Sequence, residues 1–185
     1  PLSAGDARPS SDQLFDPARA LFHELPFFAA FGNHGKNGAL YYKLMGYEDI
    51  AVSPDSESVY SYTYGNAFFL VVDTNGLYFP IGDLDSPWST FIKEQVASEA
   101  AQNATWRFAY AHEPGAPPEI SNSPDCGGVY LQTNTAFLLP LLEEHGFHAY
   151  FCGHSHLYER TMFGDLLHLI SGGGGGGLEE CEDPP

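Results

Sequence analysis

Apolar positions along this chain follow two periods, one of three to four residues that marks helices and one of two that marks half-buried strands. Between Gln13 and Leu25, residues Leu14, Phe15, Ala18, Leu21, Phe22 and Leu25 recur at helical spacing, which predicts an amphipathic helix, with Asp16-Pro17 as an alternative start. Pro26 ends it, and the wholly apolar run Phe27–Phe31 predicts a short buried strand. One helical turn is expected around Tyr41 to Met45 within a Gly- and Tyr-rich stretch from Lys36 to Pro54. Val59–Tyr64 alternates, Gly65-Asn66 is a hairpin turn, and Ala67–Asp73 returns as a continuous apolar strand expected at the centre of a sheet. Ser86-Pro87 opens a helix whose apolar spacing runs through Phe91, Ile92, Val96 and Ala100. Arg107–Ala111 is the next strand, and Thr133–Glu144 the next helix, kinked or broken at Pro140. Ala149–Cys152 and Leu166–Ile170 are the last two strands.

Three of these strands end in residues that carry chemistry. Phe27–Phe31 runs into Gly32-Asn33-His34-Gly35, Arg107–Ala111 into His112-Glu113-Pro114, and Ala149–Cys152 into Gly153-His154-Ser155-His156. Side chains at i and i+2 of an extended segment point the same way, so His154 and His156 can offer nitrogens to one site. Asn33 adds a carbonyl oxygen, and His34 an imidazole suited to proton transfer. A lone His-x-His pair is more often two surface histidines. Three such strand ends together favour a metal site at the carboxyl edge of a sheet, where ligands of open α/β sheets bind. Asp73 also ends a strand, but an Asx turn with Thr74 and Asn75 explains it better than ligation. His23, His145, His148 and His168 fit packing roles. The six glycines from Gly172 to Gly177 lack the Lys-Ser/Thr ending of a phosphate-binding loop and read as a flexible loop near the site.

The alternation of strands and helices indicates an α/β layered domain with mixed sheets, and 185 residues suit a single unit. Seven basic against twenty-four acidic residues give a net charge of −17, a field that disfavours nucleic acid and anionic lipid as partners. An anionic substrate would need bound cations to invert the local potential. Three cysteines are too few for a disulfide scaffold; Cys152 reads as a buried thiol, and Cys126 and Cys181 lie in polar loops where a bridge would suit an oxidising compartment. No apolar run is long enough to span a membrane, and the start of the chain has no export signal.

These blocks resemble the calcineurin-like metallophosphoesterase superfamily, especially its purple-acid-phosphatase-like branch. Gly32-Asn33-His34 resembles the G-N-H-[E/D] block, Ala111-His112-Glu113-Pro114 the single-His strand end, and Gly153-His154-Ser155-His156-Leu157-Tyr158-Glu159-Arg160 the G-H-x-H block followed by Y-E-R. Leu169–Gly174 is similar to the strand and glycine loop that close the family's domain. The resemblance implies a layered αββα sandwich with mixed sheets and a site for two transition-metal ions, Fe, Zn or Mn. It implies Asn33, His112 and His154 on one metal, His156 on the other, Asp6 of Gly5-Asp6 bridging them, and His34 as proton donor or charge stabiliser beside the scissile phosphate; for Asp6 a turn aspartate is the alternative. The implied activity is acid-phosphatase-like hydrolysis of small-molecule phosphate mono- or diesters by a metal-bound hydroxide. Two departures stand out. The family's D-x-H block should precede Gly5-Asp6, which implies that residues 1–185 are the C-terminal part of a longer catalytic domain lacking its first strands, or that a second chain completes it. An exported parent, secreted or periplasmic, agrees with this. Gly35 replaces the carboxylate expected beside His34. A non-catalytic binding module and a mononuclear metal hydrolase are the alternatives.

Overall fold

The structure, a computed structural model, describes residues 15–35, 39–47, 57–74, 85–115, 134–174 and 177–178. The expected hairpin forms as β1 (Tyr60–Tyr64) and β2 (Ala67–Val72), paired antiparallel with Tyr64 opposite Ala67. β3 (Trp106–Ala111), β4 (Ala149–Cys152), β5 (Tyr158–Phe163) and β6 (Leu166–Ser171) complete a six-stranded mixed sheet in the order β1-β2-β3-β4-β6-β5. β2, β3, β4 and β6 run parallel, while the edge strands β1 and β5 are antiparallel to their neighbours. All four parallel strands therefore deliver their carboxyl ends to one edge.

One face of the sheet carries the main core. Phe68, Leu70 and Val72 of β2, Ala109 and Ala111 of β3, Tyr150 of β4 and Leu166 and Ile170 of β6 alternate inward against the helices. The helices are α3 (Pro87–Val96), α4 (Glu99–Asn103) and α5 (Leu139–Glu144); α1 (Arg19–Phe22) and α2 (Ala39–Met45) precede them in the chain. Leu138, Leu139 and Leu142 are fully buried, and each contributes about 2 kcal/mol of apolar burial. α3 starts where the sequence places it: the Ser86 hydroxyl accepts from the Ser89 N–H at 3.2 Å and Pro87 follows. It ends at Val96 rather than running to Ala100, because Ser98 caps a new helix by accepting from the Ala101 N–H at 3.2 Å. The helix expected over Thr133–Glu144 divides into a π-helical turn, Asn134–Leu138, and α5, with Pro140 in the first turn of α5, where its missing N–H costs least.

Two expectations are corrected. The helix expected over Gln13–Leu25 is, within the described residues, the four-residue α1 flanked by turns. Leu21 and Leu25 are more than half exposed, so the apolar stripe that predicted a longer helix gains little burial. Phe27–Phe31 is not a strand and pairs with none among the described residues. Tyrosine hydroxyls satisfy its backbone instead: Tyr41 and Tyr60 each donate to the Ala29 carbonyl at 2.8 Å, and the Ala29 N–H donates to the Tyr47 hydroxyl at 2.9 Å. The rings of Phe28, Tyr47, Tyr60 and Tyr62 stack around this segment, on the sheet face opposite the helices, with Val71 and Tyr110. Burial raises the hydroxyls of Tyr41, Tyr60 and Tyr110 well above the usual phenol range, so they remain donors. This aromatic layer leads the chain to Gly32-Asn33-His34.

β5 is an element the sequence reading missed. It follows the His154–His156 block and returns into β6 through the two-residue turn Gly164-Asp165, with Gly164 at φ +57°. Among the described residues, no helix is long and apolar enough to cross a membrane.

Candidate metal centre

At the carboxyl edge, β2 ends at Asp73-Thr74, β3 at His112-Glu113 and β4 at Gly153-His154, while the aromatic-pinned segment brings Asn33 over them in a 3-10 turn, Asn33–Gly35. His112 Nε2 lies 2.8 Å from Asn33 Oδ1, and His154 Nδ1 lies 3.1 Å from His112 Nε2. Three donor atoms from segments far apart in sequence thus converge on one point. The structure brings together Asn33, His112 and His154 as the sequence reading groups them. His156 stands at the same edge, its Nδ1 2.8 Å from the Gly177 carbonyl. His34 is exposed at the rim, and both it and His156 lie near enough to His112 to act on its charge. Asp6 and the possible Cys126–Cys181 pairing fall outside the described residues.

Glu113 is a member the sequence reading did not single out. Its Oε2 lies 3.3 Å from His154 Nε2, and among the described residues His112, Glu113 and His154 form a group whose donor atoms all lie within 4.8 Å. It is buried, with its N–H donating to Thr74 Oγ1 at 3.0 Å and its carbonyl accepting from the Tyr150 hydroxyl at 2.8 Å. Its place directly after His112 at a strand end was the available signal. Asp73, fully buried at the end of β2, lies close enough to Glu113 to act on its charge.

The electrostatics suit neutral imidazoles. Burial first, and then His154, His34 and His156, lower His112 to about 4, which leaves its ring neutral and able to ligate at neutral pH. Burial first, and then Asp73, raise Glu113 to about 7.

The loop that presents these rings is tightly constrained. His154 takes φ +61°, a left-handed conformation that costs a non-glycine residue roughly 1–2 kcal/mol. Such strain persists where the surroundings over-determine it. Gly172, after β6, donates its N–H to the Leu157 carbonyl at 3.0 Å and packs so closely that a Cβ there would overlap the Ser155 carbonyl. That glycine contacts the histidine loop directly, a more specific role than the flexible loop expected of it.

The donor set fits a transition metal. A zinc ion about 2.0–2.1 Å from each nitrogen places neighbouring ligand atoms a little over 3 Å apart, near the separations seen here. Neutral imidazoles with an amide oxygen favour zinc, manganese or iron over calcium or magnesium.

The calcineurin-like phosphoesterase family model matches residues 3–158. Among solved structures, purple acid phosphatase PPD1 from yellow lupin (Lupinus luteus) seeds is similar with a TM-score of 0.65 and 20% identity, over 96% of this chain and 36% of that one. GAP50, described as the anchor in the inner membrane complex of Plasmodium, is similar with a TM-score of 0.58 and 23% identity, over 84% of this chain and 53% of that one. The chain thus spans about half the length of the second and little more than a third of the first. No curated protein matches it in sequence.

Proposed function

The chain belongs to the calcineurin-like phosphoesterase family, and from that premise we propose that it hydrolyses small-molecule phosphate mono- or diesters at a centre of two transition-metal ions. The observation that carries this reading is the convergence of Asn33 Oδ1, His112 Nε2 and His154 Nδ1 at 2.8 and 3.1 Å. These three would hold one ion and His156 the other, with Asp6 between them. Bound ions of this kind acidify coordinated water and stabilise negative charge on phosphoryl oxygens. They would also offset the −17 net charge, which otherwise repels an anionic ester. His34, exposed at the rim, would give a proton to the leaving-group oxygen. A neutral His112 can ligate through Nε2 at neutral pH once its ring proton resides on Nδ1.

A second reading, a folded binding module without turnover, is favoured by Gly35, which leaves His34 without the neighbouring carboxylate that the resemblance expects. Metal content by plasma mass spectrometry, together with turnover of p-nitrophenyl phosphate, separates these readings. Two equivalents of metal with turnover, both lost in His112→Ala and His154→Ala, support the phosphoesterase. One equivalent with a preference for carboxylic esters supports a mononuclear hydrolase. Metal-free protein without turnover supports the module.

A further inference from the structure

We propose that Glu113 is a positioning residue that fixes which nitrogen of His154 faces the metal, an inference that rests on the metal-centre reading above. The hydrogen-bond chain defines the tautomers. Asn33 Oδ1 can only accept, so His112 Nε2 carries the proton between them, and His154 Nδ1, 3.1 Å from the same nitrogen, is left as an acceptor. A neutral His154 then carries its proton on Nε2, the nitrogen that lies 3.3 Å from Glu113 Oε2. With a cation in place of that proton, His112 would keep its one proton on Nδ1 and turn the Nε2 lone pair inward beside Asn33 Oδ1 and His154 Nδ1, while His154 Nε2–H would lie on the carboxylate side. Carboxylates behind metal-bound histidines hold the ring and raise its basicity in this manner.

The setting of Glu113 supports the assignment. Its backbone is held on both sides, by Thr74 at the end of β2 and by Tyr150 of β4, which fixes where its side chain departs from the main chain. Its Oε1 is buried with no hydrogen-bond partner among the described residues, beside the buried Asp73. A carboxylate kept in such a place is costly to the fold. A cation on the far side of the His154 ring would offset its charge, which gives the position a reason that packing alone does not.

The test compares wild type, Glu113→Gln and Glu113→Ala. Long-range proton–nitrogen NMR of the metal-free chain reads the His154 tautomer, and calorimetric titration reads zinc affinity. We expect Nε2–H at His154 in wild type, a tautomer mixture in E113A, and zinc binding weakened roughly 10–100-fold in E113A. E113Q, whose carbonyl still accepts from Nε2–H, should keep the tautomer and lose less than tenfold. An Nδ1–H tautomer in wild type overturns the proposal, and so does an E113A that binds zinc as tightly as wild type. Equal zinc loss in both variants with the tautomer unchanged makes Glu113 a direct ligand and also overturns it. If E113A does not fold, the wild-type tautomer and the E113Q affinity decide. Wild type that binds no zinc at all sinks the metal centre itself, an outcome distinct from tight wild-type binding that ignores Glu113.

Discussion

His34 and Glu113 divide the acid–base character of the site between an exposed imidazole and a buried carboxyl. Of the two, His34 is the exposed one, and in the proposed reaction it faces the leaving group. His34→Ala should therefore lower kcat by roughly 10²–10⁴-fold for p-nitrophenyl phosphate and by more for alkyl phosphates, whose leaving oxygens need the proton most. Equal losses for both substrates would contradict the role. His112 and His154 were legible in the sequence as residues at strand ends, whereas Asn33 follows an apolar run that is not a strand and reaches the same edge through the tyrosines that pin it. Glu113 was not, although adjacent to His112, because consecutive side chains of a strand face opposite ways and only the turn after β3 swings it toward His154.

At the level of elements, one buried imidazole links β6 to the loop after β3. His168 faces the core, 1% exposed and stacked on Tyr150, and its Nε2 accepts from the Gly115 N–H at 3.0 Å, just past the His112-Glu113 strand end. Burial lowers His168 to about 4 from 6.5, so the unfolded chain takes up the proton first as pH falls. The stability it contributes is full above pH 6.5 and is lost between there and about pH 4, to a limit of about 3 kcal/mol. His112 shifts in the same direction and Glu113 in the opposite one, so the measurement is a difference: urea unfolding of wild type and His168→Gln from pH 4 to 8. The variant keeps an acceptor for Gly115 and should show a flatter profile across that window. An unchanged slope would remove His168 from the account. Among the elements, the β1–β2 hairpin, β3, β4, β6 and the capped α3 were legible because their patterns are local. Phe27–Phe31 was misread because apolar composition does not reveal whether a backbone's partner is a strand or a set of tyrosine hydroxyls. β5 was overlooked because its alternation is interrupted by charge, although Gly164-Asp165 marks the turn.

Across the whole molecule, 24 acidic residues against 7 basic ones load the folded state with self-repulsion. A cation gathered by the strand ends would add binding energy and relieve some of that field. Zinc or manganese at 100 times its dissociation constant should stabilise the chain by about 2.7 kcal/mol, read as a rise in Tm by calorimetry and reversed by EDTA. Added sodium chloride should raise Tm as well, with a smaller increment in the metal-loaded form. A chelator without effect on Tm would argue against a resident cation. The layered α/β class was legible from the order of periods along the chain, while the single mixed sheet with antiparallel edges needed the pairing itself.

The donors that meet at His112 come from positions 79 and 42 residues away along the chain. An extended polypeptide cannot hold such partners together, since closing loops of that size precedes any reward from ligation. Cation uptake is therefore expected to follow folding rather than nucleate it, and the rate of refolding should not depend on how much zinc the buffer holds.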